Sequence, residues 1–377
     1  MSTSERIPSL DGLRAVSIGL VLLGHLAGTR HFLGLPSLTL LGDVGNLGVT
    51  VFFVISGFLI TTLLLSEQAR EHRIDLAAFY VRRAFRILPA AATYLLAVAL
   101  LAAVAPRVRL GTLDWLHALT FTMNYHQQRD WIVGHLWSLS VEEQFYLLWP
   151  AAVVVLGPKR SAWLAGAAIV IAPAWRVSVW VLFPEWRDAI GETFPTVMDA
   201  IASGCVLAGC AGWLVQRAWY RRFLTSPRFA LVILVVLISN AFDRYPSFYL
   251  PFGMTLRNAG IALVVHWAIL RASPLVARVL ECAPLIWVGR LSYSLYLWQQ
   301  PFLNRHSPAM LTSFPVNLAC AGLCACLSFF CVESPFLRLR ERRVLGGVRQ
   351  RVPRARTQVV KPNQVDVSAA AVLRDLQ

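Results

Sequence analysis

The chain has 377 residues, of which 57% are hydrophobic and only 15% charged, where an ordinary soluble domain carries about 25% charged residues. With a mean hydropathy of +0.58 and apolar runs of about 20 residues recurring from end to end, these values exclude a soluble globular protein. They predict an all-α, polytopic membrane protein. The net charge of +15 does not argue for a nucleic-acid partner, because its distribution follows topology.

Ten spans are predicted, at 12–30, 47–65, 89–105, 134–156, 162–183, 195–215, 229–242, 251–270, 284–303 and 312–332, with 112–124 as a half-buried helix. An even number puts both termini on one side. If that side is cytoplasmic, inner segments carry 25 of the 35 Lys and Arg residues and outer loops carry seven. Without the tail, 15 still stand inside, as the positive-inside rule requires. A transmembrane domain is expected over 1–336 and a basic, disordered cytoplasmic tail over 337–377. Arg338 to Arg356 in that tail either lie against anionic headgroups or merely obey topology. The first span starts too polar, and lacks the small-residue cleavage site, to be a removed signal peptide. The seven cysteines read as small buried hydrophobes without zinc spacing, so no metal is expected. There is no internal repeat and no nucleotide-binding glycine loop.

The first span, SLDGLRAVSIGLVLLGHLAG, carries Arg14 and His25. Eleven residues make three turns plus about 20°, so the two face one way, about 16 Å apart along the axis. A cation at the cytoplasmic mouth and an imidazole deep on the same stripe suit a long, anionic-headed substrate. A snorkelling anchor and a helix–helix hydrogen bond are the plainer readings of the same two residues. In the second span, GVTVFFVISGFLITTLLL, Ser56-Gly57 reads first as close helix packing. The segment FYVRRAFRILP crowds Arg82, Arg83 and Arg86 at the mouth of the third span. Arg83 and Arg86 share a face, and they suit a phosphorylated ligand or simple topology equally well.

The fourth span opens HLWSLSVEEQFYLLWP. Charged side chains at mid-bilayer are costly and usually functional. His135, Ser138 and Glu142 recur at i, i+3 and i+7 and share a face, while Glu143 points about 100° away. Counting helix rise from the two surfaces puts His25 and Glu142 at one depth, about 12 Å below the outer face. A carboxylate beside an imidazole fixes its tautomer and stabilises its cation, as a general base needs. Glu142 is therefore expected to pair with His25. In the ninth span, GRLSYSLYLWQQPFL, the hydroxyls and amides either line a polar cavity or join helices. Tyr293 is expected to contact substrate, together with His135 and Ser138.

LDGLRAVSIGLVLLGH, GVTVFFVISGFLIT, FYVRRAFRILP, HLWSLSVEEQFYLLWP, GRLSYSLYLWQQP and ESPFLRLR together resemble the integral membrane acyltransferase family 3, over about residues 7 to 340. The resemblance implies transfer of an acyl group, most often acetyl, from cytoplasmic acyl-CoA to a hydroxyl. The acceptors it implies are chiefly surface or exported carbohydrates, and in some branches macrolides. It implies a bacterial inner (cytoplasmic) membrane location. It implies His25 as the catalytic residue, Arg14 as the arginine of the same motif, and Arg83 and Arg86 as donor-site residues. Glu142 matches the acidic residue after Trp137-Ser138, and Ser56-Gly57-Phe58 the family's S-G-F.

Two positions depart from the family pattern. Thr50 stands where many members have Asp, and Gln299 where many have His, so neither position is expected to titrate. Some members carry a fused extracytoplasmic hydrolase-like domain, and this chain shows none. The acceptor is then expected to be acylated directly or through a separate extracytoplasmic partner. A transporter or flippase is the rival expectation, but it calls for inverted repeats and broken helices in matching halves, and the polar residues concentrate in the first half instead.

Overall fold

The computed structural model describes residues 7–32, 42–105 and 109–340. Among them every regular element is helical. The principal helices are α1 (Pro8–Leu26), α2 (Val44–Glu71), α3 (Leu76–Val104), α4 (Leu136–Leu182), α5 (Phe194–Gln216), α6 (Ala230–Ala241), α7 (Met254–Ile269), α8 (Ala283–Trp298) and α9 (Val316–Ser328).

Their ends follow from local chemistry. Pro8 opens α1, where its missing N–H costs nothing. The Asp43 carboxylate caps α2 by accepting the Asn46 N–H at 2.8 Å, and Asp75 caps α3 by accepting the Ala78 N–H at 2.9 Å. Within α4 the backbone breaks at Gly157, whose φ of 76° and ψ of 167° are non-helical. Glycine reaches that φ without steric cost, and Pro158 then starts the next helix. The fourth and fifth predicted spans meet at this break.

Each of the ten predicted segments coincides with a helix, but the count of full spans does not. Among the described residues seven helices are long and apolar enough to cross a membrane, with Trp131–Leu182 and its two predicted segments counted once, or eight if the bent pair Ala218–Thr225 and Pro227–Arg244 forms one span. The shortfall has a geometric reason. At 1.5 Å per residue the 16 residues of α8 reach only about 24 Å, short of a hydrocarbon core of about 30 Å. The protein is a multi-pass membrane protein. Large apolar side chains turned outward, such as Val155 and Trp163 at 80% exposure, suit a surrounding of lipid. Beyond α9 a π-turn over Phe329–Glu333 leads into helix through Arg340. The tail from 341 onward lies outside the described residues.

α2 is the central element, packed against α1 and α5. A Cβ at Gly204 of α5 would overlap the Val54 carbonyl of α2, so only glycine permits this approach. α1 crosses α2 just as closely, where a Cβ at Gly24 would lie 2.7 Å from the Gly45 nitrogen. That crossing brings the backbones of His25 and Asn46 to the same end of the bundle. Arg14 and the start of α3 lie at the other.

Candidate active site

At the α3 end, cationic and acidic side chains from four helices converge. Arg14 of α1 interacts electrostatically with Arg86, Asp11, Glu142 and Glu333. Arg83 stacks on the Tyr146 ring at 4.8 Å and interacts with Glu142 and Glu143. Among the described residues, Arg14, Arg83 and Arg86 make no hydrogen bond and no ion pair within 4 Å. Arg82 differs, because its guanidinium bonds Glu67 at 3.2 Å. The three arginines crowded in the sequence therefore divide into one engaged residue and two open ones, joined by Arg14.

Glu142 belongs to this cluster. Its Oε1 accepts the Ser56 hydroxyl at 2.7 Å, and the Tyr146 hydroxyl lies 3.2 Å from its Oε2 and 3.1 Å from Ser56 Oγ. Ser56 thus does more than pack, while its neighbour Gly57 serves the close contact with α5. The expected His25–Glu142 pair is absent from the structure. The depth count assumed that α4 begins at the membrane face. Instead, residues 112–134 fold over its entrance as the short helices Thr112–Leu119, Met123–Tyr125 and Trp131–Gly134. His135, at the start of α4, is only 3% exposed and packs against Tyr94 and Tyr296. Seven residues further on, Glu142 has passed the level of His25 and reached that of Arg14.

His25 finds another partner. Its Nδ1 lies 2.7 Å from Gln299 Oε1. The amide oxygen can only accept, so Nδ1 carries the proton and Nε2 is left as the free base, a tautomer assigned from this network. Gln299 Nε2 donates to Gln300 Oε1 at 3.1 Å, Gln300 Nε2 to the Trp131 carbonyl at 2.6 Å, and Trp131 Nε1 to the Gln300 carbonyl at 3.0 Å. The Trp131 ring meets the imidazole edge-on at 5.7 Å. Gln299 does not titrate, yet it takes the orienting role expected of Glu142.

His135 and Ser138 stay together beside this network. The His135 ring packs edge-on to Tyr94 at 5.3 Å and tilted to Tyr296 at 5.4 Å. Among the described residues neither of its nitrogens has a partner in good hydrogen-bond geometry, and it is close enough to His25 for the two rings to interact electrostatically. The Tyr296 hydroxyl donates to the His135 carbonyl at 2.6 Å and accepts from Ser138 Oγ at 2.5 Å. Tyr293, expected in their company, lies elsewhere. Its hydroxyl donates to the Ile87 carbonyl of α3 at 2.9 Å, which ties α8 to the arginine cluster. Three residues separate Tyr293 from Tyr296, so the two share a helix face but stand about 4.5 Å apart in height.

Sequence reasoning missed Glu333. It is 2% exposed, accepts the Ser294 hydroxyl at 3.0 Å, and interacts with Arg86 and Arg14. Its signal was a lone acid in the apolar run FFCVESPF. Trp131 had no such signal, since aromatic residues at a membrane interface are common.

A family model described as an acyltransferase domain, Acyl_transf_3, matches residues 7–332. YrhL of Bacillus subtilis is 28% identical over 87% of this chain and 54% of its own length. The peptidoglycan O-acetyltransferase OatA of Listeria monocytogenes is 26% identical over 87% of this chain and 55% of its own length. The O-acetyltransferase OatA of Staphylococcus aureus is 28% identical over 89% of this chain and 58% of its own length. The chain thus spans a little over half the length of these relatives. No solved structure matches it. With the motif residues gathered at two ends of one helical bundle, and the match running through nearly all of it, the chain belongs to the integral membrane acyltransferase family 3.

Proposed function

We propose that the chain is a membrane O-acyltransferase of the bacterial inner membrane, carrying acetyl from cytoplasmic acetyl-CoA to a hydroxyl of a glycan. The observation that carries this reading is the pairing of three guanidiniums that make no ion pair within 4 Å among the described residues, Arg14, Arg83 and Arg86, with a base-ready His25 about 16 Å further along α1. Guanidinium forks bind phosphate strongly, and the separation suits the extended pantetheine arm between CoA phosphates and thioester. That the relatives are named O-acetyltransferases, two of them for peptidoglycan, supports acetyl as the group and a cell-envelope glycan as the acceptor.

In this reading His25 Nε2 takes the proton from the acceptor hydroxyl while its oxygen attacks the thioester carbonyl. The C–S bond then breaks, and the CoA thiolate takes the proton back from the imidazolium. The Gln299 amide oxygen keeps Nδ1 protonated and steadies the imidazolium. Glu142, held by Ser56 and Tyr146, tempers the positive charge of the arginine cluster, so that donor and product CoA both exchange. Transfer through an acyl-histidine would use the same Nε2 as nucleophile, and trapping labelled acyl on the protein distinguishes the two.

The test is acetyl transfer from labelled acetyl-CoA in membranes expressing the chain, with the host glycan fraction as acceptor. Alkali-labile label that disappears in His25→Ala at matched protein level is the expected result. CoA release from purified protein that is indifferent to His25→Ala would overturn the proposal.

A further inference from the structure

Arg257 of α7 is 1% exposed and lies outside the site described above. The fold holds a second fully buried arginine for comparison. Arg176 is 0% exposed and sits against the Asp199 carboxylate, with both terminal nitrogens 3.1 Å from its oxygens. Arg257 has no such partner, for among the described residues no carboxylate forms an ion pair with it. Its Nη1 donates to Asn240 Oδ1 and to the Tyr249 hydroxyl, each at 2.8 Å. Its Nη2 donates to Thr50 Oγ1 at 3.0 Å and weakly to Asn46 Oδ1 at 3.4 Å, and among the described residues its Nε finds no acceptor. A buried cation held only by neutral acceptors is costly unless something supplies the missing charge.

The surroundings show where that charge would enter. A cavity of about 10 Å³, room for one water, is lined by Arg257, Asn258, Thr50, Asn46 and Trp137 among others. The Asn258 Oδ1 there has no partner either. Asn46, Gly191 and Met254 are shared between this cavity and an outer funnel of about 270 Å³. Asn46 thus stands between the two together with Gly191 and Met254, and its bond to Nη2 is the longest that Arg257 makes. Asp43 and Asp243 line the funnel, each with one oxygen engaged by a backbone N–H. They repel a free anion but accept hydroxyl groups. The funnel stands at the His25 end, because Asn46 adjoins the crossing of Gly45 with Gly24.

The geometry points to an acceptor subsite for an acidic sugar: its carboxylate displaces the Asn46 side chain and takes the Arg257 fork, while its hydroxyls bond Asp43 and Asp243. This rests on the acyltransferase reading, since it places the acceptor near His25, but its test reads binding rather than turnover.

The experiment uses the purified full chain in nanodiscs without acetyl-CoA. Binding of methyl glucuronide, methyl glucoside and sodium acetate is followed by thermal shift and ligand-observed NMR. The expected result is binding of the glucuronide at least about tenfold tighter than of the glucoside, from the charge-assisted fork, and no acetate binding in the same range. Thr50→Asp, which sets a carboxylate of the chain itself on Nη2, should abolish that preference, whereas the neutral Thr50→Asn should keep it. Equal binding of the two glycosides, no binding of either, acetate matching the glucuronide, or a preference that survives Thr50→Asp would each overturn the subsite. Loss of acetyl transfer to every acceptor, with the binding preference intact, would instead fault the catalytic reading and leave the subsite standing.

Discussion

Gln299→Leu removes the one hydrogen bond that sets the His25 tautomer while leaving His25 itself in place. A neutral hydrogen bond of this kind contributes about 0.5–1.5 kcal/mol net, or about two- to thirteenfold in rate. Without the amide oxygen the proton is no longer confined to Nδ1, and the ring is free to turn, which adds a further few-fold. The expected drop in kcat is therefore about 5- to 50-fold. It should come with little change in the KM for acetyl-CoA, because Gln299 lies at the far end of α1 from the arginines. Gln299→His, which offers a ring nitrogen to Nδ1, should recover most of the rate. Glu142→Gln, by contrast, should change the KM for acetyl-CoA with a smaller effect on kcat, since Glu142 faces Arg14 and Arg83. The assay is CoA release from purified protein at varied acetyl-CoA, with gel filtration as a folding control. A full kcat in Gln299→Leu, beside a Glu142→Gln variant that is dead at saturating acetyl-CoA with unchanged KM, would refute the reasoning.

Arg83→Ala and Arg86→Ala should each raise the KM for acetyl-CoA and weaken its salt dependence, whereas Arg82→Ala, already engaged by Glu67, should do neither; steady-state kinetics from 50 to 300 mM salt, over which the Debye length falls from about 14 to about 6 Å, make the comparison. Asp199→Asn leaves the Arg176 charge buried with weakened partners and should cost up to about 3–5 kcal/mol, while the double variant Arg176→Met/Asp199→Leu should recover part of it, read from thermal unfolding in detergent. Gly204→Val forces α5 away from the Val54 carbonyl and should destabilise the protein by about 1–3 kcal/mol, where Gly166→Ala, with nothing near its Cβ, should be silent in the same measurement.

Hydropathy and helical period were enough to read this chain as an all-α membrane protein, because both depend on neighbours along one helix. The same period sets Arg14 and His25 on one stripe of α1, and Arg83 with Arg86 on one face of α3. The motifs carried the family, since their order along the chain survives without any knowledge of packing. Depth was another matter. Whether a helix starts at the membrane face depends on what folds over it, and the short helices over 112–134 moved Glu142 away from His25 and toward Arg14. Partner choice also belongs to the tertiary structure alone: Gln299 reaches His25 across 274 residues, and Glu333 reaches the arginine cluster from the other end of the chain. Nor does anything local to Arg257 show that its neighbours at Thr50 and Asn46 are neutral, because a buried charge is compensated by whatever other helices bring to it.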